Sequence, residues 1–147
     1  MIQRIQSVYL FLASMASGAL LMPSMTLYNY ERQGTGLLSL SAVREIPLLL
    51  IAVVMTLVPL VTIFLFKDRK RQKGFAIMSI LSCIIFYTVM MMRVGAIKNG
   101  TPPILPNSDS YNIIGVVLPV LAIVFLILAI RGINHDNKLI RDTERLR

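Results

Sequence analysis

The chain has no tryptophan, one cysteine and one histidine among its 147 residues. With Cys83 alone, no disulfide forms within one chain and no thiol pair exists for redox exchange. His135 lies in a polar tail with no Cys or His beside it, so a histidine-based metal site or a Ser-His pair is not expected. The most telling absence is of charge. No Asp, Glu, Lys, Arg or His occurs between Arg4 and Glu31, Glu45 and Lys67, Lys73 and Arg93, or Asp109 and Arg131. A water-soluble domain carries charge over its whole surface. Confining charge to the connections leaves the remainder suited to hydrocarbon.

What is present is apolar. Hydrophobic residues make up 56% of the chain and charged residues 15%, and the mean hydropathy is +0.73. A helix needs ~20 predominantly apolar residues to cross ~30 Å of hydrocarbon, and each uncharged window meets that length. The pattern predicts an all-α membrane protein of four transmembrane helices, about residues 5–25, 46–66, 74–92 and 111–130, arranged as two helical hairpins. Residues 1–130 would form the transmembrane domain and 131–147 a basic tail. A cleaved signal peptide is the rival for the first window. Ser14, Ser17 and Gly18 interrupt its short apolar core and the window runs on to Met25 without a convincing small-x-small cleavage site, so a retained helix is expected.

The basic residues orient the chain. Of fifteen Lys and Arg, Lys67, Arg69, Lys70, Arg71 and Lys73 lie between the second and third windows; Arg131, Lys138, Arg141, Arg145 and Arg147 follow the fourth; Arg4 precedes the first. Only Arg32, Arg44, Arg93 and Lys98 lie on the other side, a positive-inside bias that predicts both termini cytoplasmic in a bacterial inner membrane. The formal net charge of +8 flanks membrane spans and accompanies no nucleic-acid motif, so nucleic acid is not an expected partner. The basic run, with Arg141, Arg145 and Arg147, is expected to contact anionic lipid heads or a docking protein.

Within the spans, small residues form stripes. Ser7, Phe11, Ser14, Gly18, Leu21 and Met25 share one face of the first helix, and Ser79, Cys83, Phe86 and Met90 one face of the third. Lipid gives helices no hydrophobic drive to associate, so residues that let backbones approach mark the packing face. Ser14, Gly18, Ser79 and Cys83 are therefore the expected packing positions. Pro59 and Pro119 fall near mid-span and are expected to kink the second and fourth helices. Tyr28, Tyr30 and Tyr111 suit an interfacial aromatic belt. Leu37 to Leu40, too short to span, is expected to lie on the membrane or cap the bundle, and Pro47 to open the second helix. Asn99-Gly100-Thr101 has the form of a glycosylation acceptor, with a run of turns at Pro102, Pro103 and Pro106 to Ser108.

Chemistry is scarce. No span holds a central acid, base or His of the kind an ion-coupled exporter uses to sense its ion. Met22, Met25 and Met90 to Met92 offer soft thioethers, but three consecutive methionines point in three directions on a helix. Gly34-Thr35-Gly36 is no nucleotide loop. Neither an enzyme nor a cofactor is expected. Two functions stay open. One is a non-catalytic accessory or scaffold subunit of a larger complex for translocation, secretion or respiration. The other is a small channel or uncoupled carrier, a homo-oligomer with Ser14, Thr56, Thr62 and Ser79 along its path.

The tail is the most individual segment. Gly132 can end the fourth helix, and Asn134 to Asn137 can cap a new one. Leu139, Ile140 and Leu146 among mixed charges predict a short cytoplasmic amphipathic helix. The opening Met1-Ile2-Gln3-Arg4-Ile5-Gln6-Ser7-Val8-Tyr9-Leu10 and the closing Asp136 to Arg147 resemble a small four-helix membrane family of Bacteroidota, a domain of unknown function. The resemblance implies an inner-membrane protein with both ends cytoplasmic and brings no catalytic residues.

Overall fold

The structure, a computed structural model, describes residues 3–32, 36–65, 68–100 and 109–145. Among the described residues, four α-helices and one small sheet make the fold. The order is α1 (Gln3–Gly18, with a 3-10 turn at Ala19–Leu21), β1 (Tyr28–Arg32), β2 (Gly36–Leu40), α2 (Ile46–Phe64), α3 (Arg69–Gly100), β3 (Ser110–Tyr111) and α4 (Ile113–Arg145). By length and composition, stretches within α2, α3 and α4 can each cross a membrane, and Ile5–Leu21 is a shorter apolar helix beside them. The chain is thus mostly helical and compatible with a multi-pass membrane protein.

The helices pack in a ring, α1 against α2 and α4, α3 against α2 and α4. Close approaches fix their directions. Gln6 near the start of α1 lies beside Gly132 late in α4, whereas Leu27, beyond the end of α1, accepts a hydrogen bond from the Asn112 amide just before α4 (3.1 Å). These two helices are therefore antiparallel. Glu45 before α2 reaches Arg93 late in α3 (3.5 Å), while Val54 in α2 shares a groove with Ser82 in α3.

Each helix buries one stripe at heptad-like spacing: Leu48, Ala52, Met55, Pro59 and Thr62 in α2; Gln72, Ala76, Ser79, Cys83, Phe86, Met90 and Val94 in α3; Ala122, Leu126, Ala129 and Ile133 in α4. Phe11, Val54, Ile84 and Val124 are exposed. In water those faces would be costly to expose; in hydrocarbon they are the natural exterior, and the small or polar residues go inside.

The boundaries depart from the sequence expectation for local reasons. The first helix ends at Leu21, not Met25. Pro23 disfavours helical backbone in its predecessor, and Met22 is extended at φ −71°, ψ 130°. The stripe on α1 is also turned by one residue. The buried face is Gln6, Leu10, Ala13, Ser14, Ser17 and Leu20, while Phe11 of the expected face is 49% exposed. Turning Gln6 and Ser17 inward keeps their polar atoms out of hydrocarbon, and Phe11 loses nothing by facing it. Both α3 and α4 exceed their expected spans, at 32 and 33 residues, or ~50 Å each at 1.5 Å per residue. Gly132 does not end α4. The separate tail helix expected after it is replaced by an unbroken continuation of α4 to Arg145.

The expected all-α fold is corrected at the first connection, which is a hairpin. β1 pairs antiparallel with β2 (Tyr28 opposite Leu40, Arg32 opposite Gly36), and β3 adds to the other edge of β1 (Tyr28 opposite Tyr111, Asn29 opposite Ser110). Leu27, Tyr28, Leu40 and Ala42 join the helical core, so this segment caps one end of the bundle, the second of the two placements open to Leu37–Leu40.

Candidate functional site

The capped end gathers the polar groups that lie close to the sheet. Tyr28 is fully buried at the start of β1, with the Tyr30 ring stacked 6.1 Å away and the Tyr111 ring tilted at 5.1 Å. The expected aromatic belt is therefore corrected at Tyr28. Its pairing to both neighbouring strands draws it into the core, and of the three it is Tyr111 that is exposed. Lys98, in the last turn of α3, holds its ammonium 5.8 Å from the Tyr28 ring centroid and 5.5 Å from that of Tyr111. Cation–π attraction of this kind contributes ~0.5–1 kcal/mol at an exposed site and ties α3 to the sheet.

Burial pushes the Tyr28 phenol well above the ordinary tyrosine range, and the neighbouring Asp109 carboxylate raises it further. Among the described residues no group meets the Tyr28 hydroxyl with full hydrogen-bond geometry. Asn112 closes the site. Its Oδ1 accepts the Ile114 amide (3.1 Å), capping α4, and its Nδ2 donates to Thr26 Oγ1 (2.9 Å). Gly115 follows where the chain passes closest: a Cβ there would stand 2.5 Å from the Thr26 carbonyl oxygen. Glu45 and Arg93, with Arg44 donating to Ser39 Oγ (3.4 Å), complete this end.

The opposite end carries the basic run. Asp68, the one acid in it, caps α3: its Oδ1 accepts the Arg71 amide (3.4 Å) and its Oδ2 pairs with Arg71 Nε (3.0 Å). Arg71 is exposed and Lys73 half-buried. Arg69 and Lys70 fall on the first turn of α3, and Arg141 and Arg145 near the end of α4. Lys67 and Arg147 lie outside the described residues, as do Gly34-Thr35 and the run from Thr101 to Ser108.

The expected packing positions are distributed along the bundle. Ser14, Ser79 and Cys83 are buried and Gly18 is half-buried, a Cβ on it meeting Thr56 Cγ2 at 3.3 Å. Ser14, Ser79, Thr56 and Thr62 each donate their hydroxyl to a carbonyl of their own helix. Ser17 crosses to a neighbour, with Oγ 3.1 Å from the Met55 carbonyl. Tyr87 of α3 similarly donates to the Val116 carbonyl of α4. Pro59 and Pro119 sit inside α2 and α4 and are buried. Among the described residues, no group of three or more His, Cys, Asp or Glu comes together to hold a metal ion.

Three features of these ends were missed in the sequence. Asn112 carries the available signal of a cap residue directly before an apolar run, whereas Asp68 precedes a basic run and carries only its residue type as a cap signal. The approach of Lys98 to Tyr28 carries none, because seventy residues separate them. No curated protein and no solved structure matches the chain. The family described as a domain of unknown function, DUF4293, matches residues 2–146. That match spans nearly the entire sequence, and the chain belongs to this family.

Proposed function

We propose that this is a non-catalytic integral protein of the bacterial inner membrane, an accessory or scaffold subunit of a larger assembly for translocation, secretion or respiration. The observation that carries this is the use made of the interior hydroxyls. Ser14, Thr56, Thr62 and Ser79 bond carbonyls of their own helices, and Ser17 lies within reach of a neighbouring helix as well. They serve packing in hydrocarbon, not a polar path or a nucleophile with a base beside it. Its lipid contacts are with anionic heads around Arg71 and Lys73, and its remaining partners are other membrane subunits.

Orientation follows from charge. The start of α1, the α2–α3 turn with its basic run, and the late part of α4 share the end away from the sheet. The positive-inside rule makes that end cytoplasmic and leaves four spans with both termini inside. The basic continuation of α4 then projects from the membrane as a helix on which a partner can dock. This arrangement agrees with the small Bacteroidota membrane proteins that the two termini resemble.

The test is extraction in mild detergent, affinity purification and mass spectrometry. A stoichiometric set of companions, lost when residues 136–147 are deleted, is the expected outcome. Recovery of the protein alone or as a homo-oligomer would favour the small channel or uncoupled carrier instead, and flux through reconstituted liposomes would then decide.

A further inference from the structure

Met91 of α3 and Tyr111, Ile113, Val116 and Val117 at the start of α4 line an open groove of about 300 Å³. It faces outward: Ile113 is 76% exposed, Met91 52% and Val117 49%. Every lining side chain but the Tyr111 phenol is wholly apolar. Tyr111 marks one end, and there the groove changes character, because the Lys98 ammonium lies 5.5 Å from the centroid of the Tyr111 ring. Lys98 is exposed and, among the described residues, makes no ion pair.

A membrane gives such a surface one natural occupant. The groove accepts an alkyl chain, and the cation at its end attracts an anion at the depth where a tyrosine sits between hydrocarbon and water. A second groove, of about 240 Å³ between α2 and α3, supplies the contrast, since Leu50, Ile51, Val54, Ser82 and Ile85 line it with no charged residue among them.

The geometry points to a phospholipid site on the sheet end of the bundle, with one acyl chain lying along Met91, Val116 and Val117 and the lipid phosphate held by Lys98. This site is distinct from the basic run at the other end. It would select a phosphate-bearing lipid over an uncharged lipid with the same chains. A purely structural Lys98, holding α3 to the sheet, would make no such selection.

The experiment is native mass spectrometry of the delipidated full chain, titrated with dioleoylphosphatidylglycerol, dioleoylglycerol or inorganic phosphate. The wild type is expected to bind one phosphatidylglycerol in clear preference to dioleoylglycerol. Lys98→Ala should weaken that binding about fivefold, and Lys98→Arg should restore it. Val117→Phe, which fills the groove, should weaken both lipids, whereas Val54→Phe in the second groove should change neither. Retention of full affinity by Lys98→Ala, or equal binding of dioleoylglycerol, would overturn the site in favour of ordinary annular lipid. Equal binding of inorganic phosphate would overturn the assignment to lipid. Lys98→Arg and Val54→Phe keep the outcome readable should either test variant fold poorly.

Discussion

Gly115 and Thr26 meet so closely that a Cβ on the glycine would stand 2.5 Å from the Thr26 carbonyl oxygen, with Leu27 Cα at 3.3 Å behind it. Both obstacles are backbone, and the segment is pinned by the Asn112 hydrogen bonds to Leu27 and Thr26. Gly115→Ala must therefore push the strand and the start of α4 apart, at a cost of about 2 kcal/mol. Gly95, also within a helix, has nothing within 4 Å of its would-be Cβ. Gly95→Ala is expected to stabilise by about 0.5–1 kcal/mol through lost unfolded-state freedom. Thermal melting in detergent should move in opposite directions for the two variants. Equal shifts would show that the sheet does not hold α4 at Gly115.

Ser17 offers a comparable pair. Its Oγ lies 3.0 Å from the Ala13 carbonyl, 3.1 Å from that of Ser14 and 3.1 Å from that of Met55 in α2. One hydroxyl proton serves one acceptor at a time, so the interhelical share is modest. Ser17→Ala is expected to cost about 0.6 kcal/mol, the usual worth of such bonds between membrane helices. Ser79→Ala loses only a bond to Phe75 within its own helix and should change stability by less. Unfolding in a mixed-micelle titration would compare them; a larger loss at Ser79 would contradict this ranking.

The spans were readable because the absence of charge is a compositional signal that does not depend on rotational phase. The face of α1 does depend on it. Ser7-Phe11-Ser14-Gly18 and Gln6-Leu10-Ala13-Ser17 are neighbouring stripes ~100° apart on one helix, both offering small residues. What chooses between them is non-local, the approach of Ser17 to Met55 and of Gln6 to Gly132. The sheet was hidden for the same reason. Tyr28 to Leu40 is short enough to be a loop, and the third strand comes from Ser110 and Tyr111, more than seventy residues away. Gly132 has the composition of a helix stop, but its lack of a side chain is used to admit Gln6, and the helix runs on.

The Glu45–Arg93 pair joins the start of α2 to the late part of α3 at 3.5 Å, with side chains 34% and 47% exposed. At that exposure an ion pair contributes at most ~1 kcal/mol and is weakened by salt. Glu45→Gln is expected to lower stability by about 0.5 kcal/mol in dilute buffer and by almost nothing in molar salt. Exchanging the charges, Glu45→Arg with Arg93→Glu, should recover most of the loss that either reversal causes alone. Failure of the double exchange to recover it would mean that the two side chains act through packing, not through their charges.

Tyr28 gives the bundle a dependence on alkaline pH. Its ring is fully buried and its hydroxyl lacks a well-formed partner. Burial first, and the neighbouring Asp109 carboxylate second, raise its pKa above the ordinary tyrosine value, which is about 10. A raised folded-state value means that this contribution is fully present below the unfolded pKa and is lost as pH rises through the folded one. Stability attributable to this residue should therefore be level up to about pH 9 and fall above about pH 10. Tyr28→Phe keeps the ring against Tyr30, Tyr111 and Lys98 while removing a buried hydroxyl, so it should gain about 1 kcal/mol at neutral pH. Its advantage over the wild type should widen between pH 10 and 11, where the phenol must either ionise in the core or hold its proton against solvent. Melting curves of the two proteins from pH 8 to 11 measure that gap, and a gap that stayed constant or narrowed would show that the Tyr28 hydroxyl reaches water.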